Sequence, residues 1–245
     1  MKKLILTIPI IIFLVHNQAN AQFISTVKIE FEKTINVPAL YKEMDPDWYD
    51  MIKDNLPKSD VSYYDFTGDN THSLYKPGRE NPTNYKMGYR PIADKNVVFT
   101  DYNKGMSISQ KPVWEETFLV EDSLQKIKWK ITPDTRTIAG FECRKAVGIL
   151  DDSIAVFAFY TDEIMITGGP ESIHGLPGMI LGVGIPRLHT TWFATKVEIS
   201  NINMNKVVPE TKGKKVNRAT MMNSLDKVLR QWGTYGGKLI VNFAI

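Results

Sequence analysis

The clearest alternation of apolar and polar residues lies near the start of the chain, in residues 23–37. Val27, Ile29 and Phe31 alternate there with charged neighbours. A strand that buries one face shows this period of two, because successive side chains point to opposite sides of the sheet. We therefore predict a half-buried strand that Pro38 ends.

A period of three or four replaces this alternation in two segments and predicts two helices. The first covers residues 45–56, where Asp45 caps the helix and Pro46 takes its first position. The second lies near 220–231, where one apolar stripe follows the helix face. Its members are Met221, Leu225, Val228 and Leu229. A final strand is predicted at 238–243.

Turn residues divide the rest of the chain into short strand-like segments. Residues 124–131 alternate as an amphipathic strand before a turn at 132–134. Residues 140–150 and 153–160 have the pattern of a hairpin, with two aspartates at its turn. Another strand is expected at 190–199.

Short strands at regular spacing, with few helices between them, predict a mainly antiparallel β fold. We expect a curved sheet, sandwich or partial barrel with one or two short helices, in a single β-rich domain over 22–245. The basic segment 206–218 is expected to be a solvated loop. Strands and helices do not alternate, which argues against a nucleotide-binding parallel sheet.

Residues 1–21 have the three parts of a secretory signal peptide. Two lysines give a positive start, residues 4–15 are apolar, and Ala19 and Ala21 are the small residues of a cleavage site after Ala21. The apolar run is shorter than the ~20 residues that a membrane-spanning helix needs. We therefore expect an exported protein, periplasmic or extracellular, with no integral membrane span after signal removal.

Glycine and proline are concentrated in residues 160–186. Residues 168–170 read Gly-Gly-Pro and predict a tight reversal in which glycine takes φ angles closed to other residues. Residues 176–178 read Leu-Pro-Gly and suit a type II turn, with Gly178 at positive φ. The apolar run that follows, 179–185, is expected to be a buried strand.

This segment resembles the GLPGLI family of exported bacterial proteins. Residues 175–180 read Gly-Leu-Pro-Gly-Met-Ile, with Met179 where the family name has leucine. The resemblance extends over residues 125–200 and implies export to the bacterial envelope, with no particular reaction. It also implies that the matching residues serve turns and packing. These are Cys143, Thr161, Gly169, Pro170, Gly175, Leu176, Pro177, Gly178 and Ile180.

Composition narrows the classes of function. The formal net charge is +3, and loss of the two lysines near the start would leave the mature chain at about +1. A net charge so close to zero does not indicate the basic surface with which proteins bind nucleic acid. No cofactor is expected, because no cofactor-binding motif occurs. Cys143 is the single cysteine. It is either buried or reserved for an intermolecular disulfide, and its apolar neighbours favour burial.

Reactive side chains are few. His174 lies close to Ser172, and Cys143 could pair with a histidine, so a hydrolase is one hypothesis, although no nucleophile motif accompanies these residues. A metal-handling protein is another, because His174 and His189 could share a copper-like ion. Methionine ligands for that ion would be Met165, Met179 and Met204. The simpler alternative is that methionines fill the core and histidines occupy turns.

A non-catalytic binding role fits the predicted fold best. Trp114, Trp129 and Trp192 all fall in predicted strands and could line an aromatic, apolar face of the curved sheet. The other role open to them is to fill the core. We therefore expect an exported envelope protein that binds an apolar ligand or a partner protein in an open groove.

Overall fold

Twelve strands in the described part of the chain pair into one curved sheet that does not close into a barrel. The computed structural model describes residues 26–82, 93–151, 153–199 and 202–245. The expected signal peptide at 1–21 and its cleavage site lie outside these ranges. Neighbouring strands are antiparallel except for one parallel pair at an edge, so the prediction of a mainly antiparallel β fold is confirmed.

The strands are short segments numbered here in chain order. Their bounds are β1 Val27–Asn36, β2 Ser59–Gly68, β3 His72–Pro77, β4 Val97–Asp101, β5 Met106–Val113, β6 Glu116–Ser123, β7 Lys130–Ile138, β8 Phe141–Leu150, β9 Ile154–Thr161, β10 Met179–Ile185, β11 Thr190–Ile199 and β12 Lys214–Val216. Across the sheet they lie in the order β12, β6, β5, β4, β3, β2, β1, β11, β10, β9, β8 and β7. β1 is therefore central, between β2 and β11, while β12 and β7 form the two edges.

Four short helices accompany the sheet within the described ranges: α1 Val37–Met44, α2 Pro46–Ile52, α3 Arg218–Leu229 and α4 Gly233–Leu239. α2 and α3 confirm the two predicted helices. Asp45 caps α2 by accepting a hydrogen bond from the Trp48 main-chain nitrogen at 3.0 Å. α1 is an additional helix, which Asn36 caps and in whose first turn Pro38 lies without losing a hydrogen bond. Among these helices, none has the length and apolar character that crossing a membrane requires.

The main core lies on the face of the sheet where Val27, Ile29 and Phe31 of β1 are fully buried, as their alternation predicts. The predicted hairpin is also present, with Leu150 of β8 paired to Ile154 of β9. β10 is buried along its whole length and confirms the predicted strand after the Leu-Pro-Gly turn. A second, smaller core lies between β5, β6, α3 and the end of the chain.

The last segment differs from its prediction. Residues 238–243 form the end of α4 and a 3-10 turn rather than a strand. Gly236 allows this packing, because a Cβ atom there would overlap the Leu229 carbonyl of α3. The close approach places Leu239 and Phe243 in the smaller core. An apolar pattern of this length cannot distinguish the two outcomes, since a strand and a short helix can both bury it.

The predicted strand at 124–131 is also wrong for most of its length. Ile127 and Trp129 instead pack on Gly148 of β8, where a Cβ atom would lie 2.6 Å from Ile127 Cγ2 and 2.9 Å from Trp129 Cε3. The side chains thus cover β8 while their backbone stays outside the sheet. The predicted turn at 132–134 lies inside β7, at an irregular step in its pairing with β8.

Two smaller departures occur near the end of the chain. Part of the predicted loop at 206–218 adds the short strand β12 to the sheet, parallel to β6. In α3, the row at spacing four is buried, whereas Val228 is 46% exposed because it lies beside that row. The buried row consists of Met221, Leu225 and Leu229.

Candidate functional site

Residues 162–178, here called the motif loop, connect β9 to β10 and fold into the main core. Their buried apolar members are Ile164, Ile166, Ile173 and Leu176. The loop ends in a three-residue turn, in which the Gly178 N–H donates to the Leu176 carbonyl at 2.8 Å. This is a γ-turn around Pro177, not the predicted type II turn.

Gly178 is required here for two reasons. Its φ is +145°, and a Cβ atom at this position would overlap the main-chain carbonyl of Thr161. The contact joins two of the positions that resemble the GLPGLI family. β10 then begins at Met179, directly after the turn.

The reversal at the middle of the motif loop works differently from its prediction. Gly168 and Gly169 do not have positive φ. Both positions need glycine because there is no room for a side chain. A Cβ atom on Gly168 would lie 2.5 Å from the Tyr102 hydroxyl, and one on Gly169 would lie 2.8 Å from the Ile173 carbonyl oxygen. The positive φ, +54°, falls on Glu171, in a region that non-glycine residues seldom occupy.

The Glu171 carboxylate lies in the protein interior. The residue is 3% exposed, and Asn96 Nδ2 donates a hydrogen bond to Oε2 at 3.3 Å. Burial raises the pKa of Glu171, while the charges of Lys33 and Lys111 and the Asn96 bond oppose that rise. The motif loop therefore brings an acid into the core, close to two basic residues.

Lys33 lies opposite on the buried face of β1. Its Nζ donates to the Ala93 carbonyl at 3.2 Å and lies 5.3 Å from the ring centre of Trp192 and 5.7 Å from that of Tyr64. Aromatic faces attract a cation at these distances. Burial lowers the pKa of Lys33, and the charge of Glu171 acts in the opposite direction.

Lys111 of β5 is the third buried charge, and its Nζ donates to the main-chain carbonyls of Phe243 and Ile245. Burial lowers the pKa of Lys111 to about 8, against the opposing effect of Glu171. We call Lys33, Lys111 and Glu171 the interior charge cluster. It connects β1, β5 and the motif loop.

A small cavity adjoins this cluster. Its volume is about 20 Å³, which is room for about one water molecule. Its polar lining residues are Lys33, Glu171, Thr190, Trp192 and Asn242. The expected open, aromatic-lined groove is therefore not what forms here, because the motif loop fills the space above the sheet.

Two polar atoms near the cluster are buried without a hydrogen-bond partner, Trp192 Nε1 and the Tyr75 hydroxyl. Burial raises the pKa of Tyr75, and the neighbouring Trp192 indole opposes this slightly. The two groups are close enough to influence each other, yet no hydrogen bond of ordinary geometry joins them. Buried polar atoms of this kind call for a physical explanation.

A known protein family matches the part of the chain that contains the motif loop. Residues 94–226, more than half of the chain, match the model of a family described as N-glycanase peptide, N-terminal domain. The chain belongs to this N-glycanase N-terminal domain family. The match includes Lys111 and Glu171, whereas Lys33 precedes it. No curated protein matches the chain.

Two solved structures of PNGF-II share the fold of this N-glycanase-type domain. The structure in space group C2 has a TM-score of 0.51 and 15% identity, and the one in P21 has 0.52 and 14%. Each match covers 81% of this chain and 32% of the PNGF-II chain, so this protein spans about a third of its relative. The resemblance to the GLPGLI family stays a prediction.

The three candidate tryptophans differ in their surroundings. Trp192 lies in β11 and is buried beside the cavity. Trp129 precedes β7, and its Nε1 donates to the His174 carbonyl at 2.9 Å. Trp114 lies in the turn between β5 and β6 and is 55% exposed. Only Trp192 is in a strand, and Trp114 is separate from the main core that Trp192 and Trp129 share. A binding role for the three residues stays a prediction.

Trp114 belongs instead to an exposed aromatic patch with Trp232. Their ring centres are 5.3 Å apart in an edge-to-face arrangement, and Phe243 lies 5.7 Å from Trp114 on the core side. Trp114 has φ +52°, which is rare for a bulky residue. Two large apolar rings thus meet at the surface, and one of them, Trp114, lies on a strained turn.

The two candidate metal ligands have separate partners. His189 Nε2 lies 2.6 Å from Glu43 Oε2, and the His174 Nδ1 lies 2.9 Å from the Ser172 carbonyl oxygen. Among the residues that the structure describes, no group of three or more His, Cys, Asp or Glu side chains is arranged to hold a metal ion. The described geometry therefore gives no support to the metal hypothesis.

Cys143 is fully buried, which confirms the predicted environment of the thiol. Burial raises the pKa of Cys143 to about 11, so the unreactive thiol form prevails at neutral pH. Its Sγ donates to the Phe141 carbonyl at 3.6 Å. His174 contacts the main chain of Ser172 and not its hydroxyl. Neither arrangement is that of a nucleophile with its base.

Sequence reasoning missed the interior charge cluster, although one signal for it was present. Lys33 is an even number of residues from Val27, Ile29 and Phe31, and therefore falls on the buried face of β1. A lysine at such a position needs an interior partner. Glu171 gives no comparable signal, because the motif loop has no period.

Proposed function

We propose that this chain is an exported, non-catalytic domain that binds N-glycosylated partner proteins of the bacterial envelope. The observation that carries the proposal is the family match of residues 94–226 to an N-glycanase N-terminal domain. The family is named for an N-glycanase, and the match to PNGF-II covers 32% of the PNGF-II chain. We infer from this family that the domain contacts glycoproteins of the kind on which an N-glycanase acts.

Export is part of the proposal and rests on the signal-peptide pattern of residues 1–21. The turn residues that resemble the GLPGLI family support the same compartment. We expect the mature protein to begin at Gln22. Mass measurement of the protein recovered from its native envelope tests this, and retention of residues 1–21 would contradict it.

The aromatic patch of Trp114 and Trp232 is the surface best suited to such a partner. Tryptophan is enriched at binding surfaces because one rigid ring contributes a large contact area at little entropic cost. The positive φ of Trp114 adds support, since backbone strain tends to persist at functional positions. An apolar small ligand has less support, because the cavity beside the interior charge cluster has room for only about one water molecule.

A non-catalytic role agrees with the positions of the candidate reactive groups. Cys143 is buried as a thiol, and His174 contacts a main-chain oxygen of Ser172. The interior charge cluster includes two lysines and a carboxylate, but all three are at most 7% exposed. A large glycoprotein substrate cannot reach side chains that are so deeply buried. Their role is therefore to stabilise the fold.

Binding can be tested with one N-glycosylated protein in two forms, intact and after enzymatic removal of its glycans. We expect the mature domain to bind the intact form more tightly. Replacing both tryptophans of the aromatic patch by alanine should weaken that binding at least tenfold, which is ~1.4 kcal/mol.

The matched control is Trp48→Ala. Trp48 is 43% exposed and also forms an aromatic pair, with Tyr41 at 5.1 Å, but it lies in α2 and not in the turn between β5 and β6. We expect this variant to bind like the wild type. Equal binding of the two glycoprotein forms, or an equal loss in the Trp48 variant, would contradict the proposal.

A further inference from the structure

Residues 126–130 form a segment in which exposed lysines alternate with half-buried apolar residues. The lysines, here called the lysine row, are Lys126, Lys128 and Lys130. Such alternation is that of an extended chain with one side on the protein and the other in solvent. Ile127 and Trp129 fix the protein side through their close packing on Gly148 of β8. The ammonium groups of the lysine row therefore share the solvent side of one anchored segment.

The lysine row has no counter-charge in the described part of the chain. None of its side chains takes part there in a hydrogen bond or in an ion pair of 4.0 Å or less. Lys145, by contrast, is paired with Asp134 at 3.3 Å. Alternate residues of an extended chain are only ~6.6 Å apart, so the three like charges repel one another. An anion that runs along the row would convert this repulsion into attraction.

The main chain of the same segment also lacks partners. Within the described ranges, no hydrogen bond involves the main-chain groups of residues 126–128. β7 follows directly and is paired on one side only, with β8. It is exposed along its length except at Thr132 and Ile138. Residues 126–137, here called the free edge, thus present unpaired N–H and C=O groups, which are a template for a further strand.

Two kinds of partner match only half of the free edge. A second copy of this chain, paired in register, would bring another lysine row against the first, and like charges on neighbouring strands destabilise their pairing. An acidic polysaccharide would supply charge without the N–H and C=O groups of a strand. An extended acidic peptide supplies both, because carboxylates at its alternate positions repeat at the same ~6.6 Å.

We propose that the free edge binds an extended, acidic segment of a partner protein, which adds to the sheet as one further strand beside β7. The main chain of that segment pairs with the free edge, and its carboxylates lie opposite the lysine row. Main-chain pairing provides the affinity, and the lysines select the acidic sequence. The inference does not depend on the proposed glycoprotein binding, because it uses no residue of the aromatic patch.

A short peptide in which glutamate alternates with threonine is the probe, and NMR of the mature protein measures its binding. We expect amide signals of the free edge to shift, and the amides that become paired to exchange hydrogen more slowly. Replacing the glutamates by glutamine should weaken binding at least ~10-fold, since the opposite-charge pairs across the strands are lost. If millimolar peptide causes no shift, the proposal fails, and the lysines only protect the edge against aggregation.

Methylation of alternate peptide nitrogens separates main-chain pairing from charge attraction. Only every second N–H of an added strand faces the neighbouring strand. We therefore expect the glutamate peptide to bind when one alternate set of nitrogens is methylated and to fail when the other set is. Equal binding of both forms, or tighter binding of polygalacturonate than of the unmethylated peptide, would overturn the proposal, because the edge would then attract charge alone.

Protein variants locate the binding site. One variant removes the lysine row by Lys126→Gln, Lys128→Gln and Lys130→Gln. The matched control removes the same charge from exposed lysines in and before β12, by Lys206→Gln, Lys212→Gln and Lys215→Gln. All six side chains are exposed, so both variants should fold. We expect the first to bind the glutamate peptide at least ~10-fold more weakly and the control to bind like the wild type. An equal loss in both would show that the peptide responds to net charge only, and the assignment would be wrong.

Discussion

The motif loop and the turn between β5 and β6 have the same backbone strain and opposite surroundings. Glu171 in the loop has φ +54°, and Trp114 in the turn has φ +52°. Glu171 is 3% exposed among buried charges, whereas Trp114 is 55% exposed beside another indole. Strain alone therefore does not reveal a role. The surroundings decide whether the side chain stabilises the fold or is free to meet a partner.

The two regions should respond to substitution in different ways. A buried charge depends on its partners, because removing one of them leaves the other uncompensated in the interior. An exposed ring pair is already half hydrated, so its loss costs the fold little. We therefore expect variants of the interior charge cluster to change stability and variants of the aromatic patch to change binding.

The largest effect is expected for Glu171→Ala, which leaves Lys33 and Lys111 buried without their acid. The free energy of unfolding should fall by ~3–5 kcal/mol, measured by urea denaturation. Glu163→Ala is the control, because Glu163 is exposed in the same loop and should cost no more than ~0.5 kcal/mol. Similar losses in both variants would remove the distinction between buried and exposed charge.

Gly178→Ala should lower the free energy of unfolding by roughly 3 kcal/mol, because the added methyl group collides with the Thr161 carbonyl and the residue has positive φ. Gly105→Ala separates these causes, since Gly105 has φ +63° with nothing within 4 Å. Strain alone should cost that variant about 1 kcal/mol. Equal losses would show that the close contact with Thr161 is unimportant.

Alkaline pH should relieve the cost of burying Lys111. Its pKa is lowered from 10.5 to about 8 in the folded protein, so the unfolded chain binds more protons between these values. Stability from this group therefore rises with pH in that window and is lowest below pH 8. Relative to Lys111→Met, the wild type should gain ~2 kcal/mol between pH 8 and pH 10. A constant difference, in denaturation experiments across this range, would mean that Lys111 is not desolvated.

The smallest effect on stability is expected for Trp114→Ala. Loss of one half-exposed ring is partly offset by relief of strain at φ +52°, so the change should stay below ~1 kcal/mol. The same variant should still lose affinity for the N-glycosylated protein. A large destabilisation in thermal or urea unfolding would show that Trp114 belongs to the fold, like Glu171.

Periodic patterns predicted the elements that bury one regular face. β1, α3 and the β8–β9 hairpin follow from alternation or helical spacing, because each packs against a continuous surface. The strand predictions for residues 124–131 and 238–243 were wrong, because close packing at Gly148 and Gly236 decides the structure of these segments. The Gly148 contacts join separate elements, and the Gly236 contact joins two helices at Leu229. The period of apolar residues within each predicted strand contains neither contact.

The site was less predictable than the fold. The Gly-Leu-Pro-Gly segment at 175–178 correctly predicted a turn before a buried strand. It gave no indication that the preceding part of the motif loop buries Glu171. Lys33 could have been found from its place on the apolar face of β1. Its partner could not, since pairing between residues 138 positions apart depends on how the whole sheet curves.

A double-mutant cycle on Lys33→Met and Glu171→Gln tests most directly whether these two charges fasten the motif loop to the sheet. Each single variant leaves one buried charge without its counterpart, while the double variant removes both. We predict that the loss of unfolding free energy in the double variant is smaller than the sum of the single losses by at least ~1 kcal/mol. Losses that add within ~0.3–0.5 kcal/mol would contradict the account, because the two residues would then act independently.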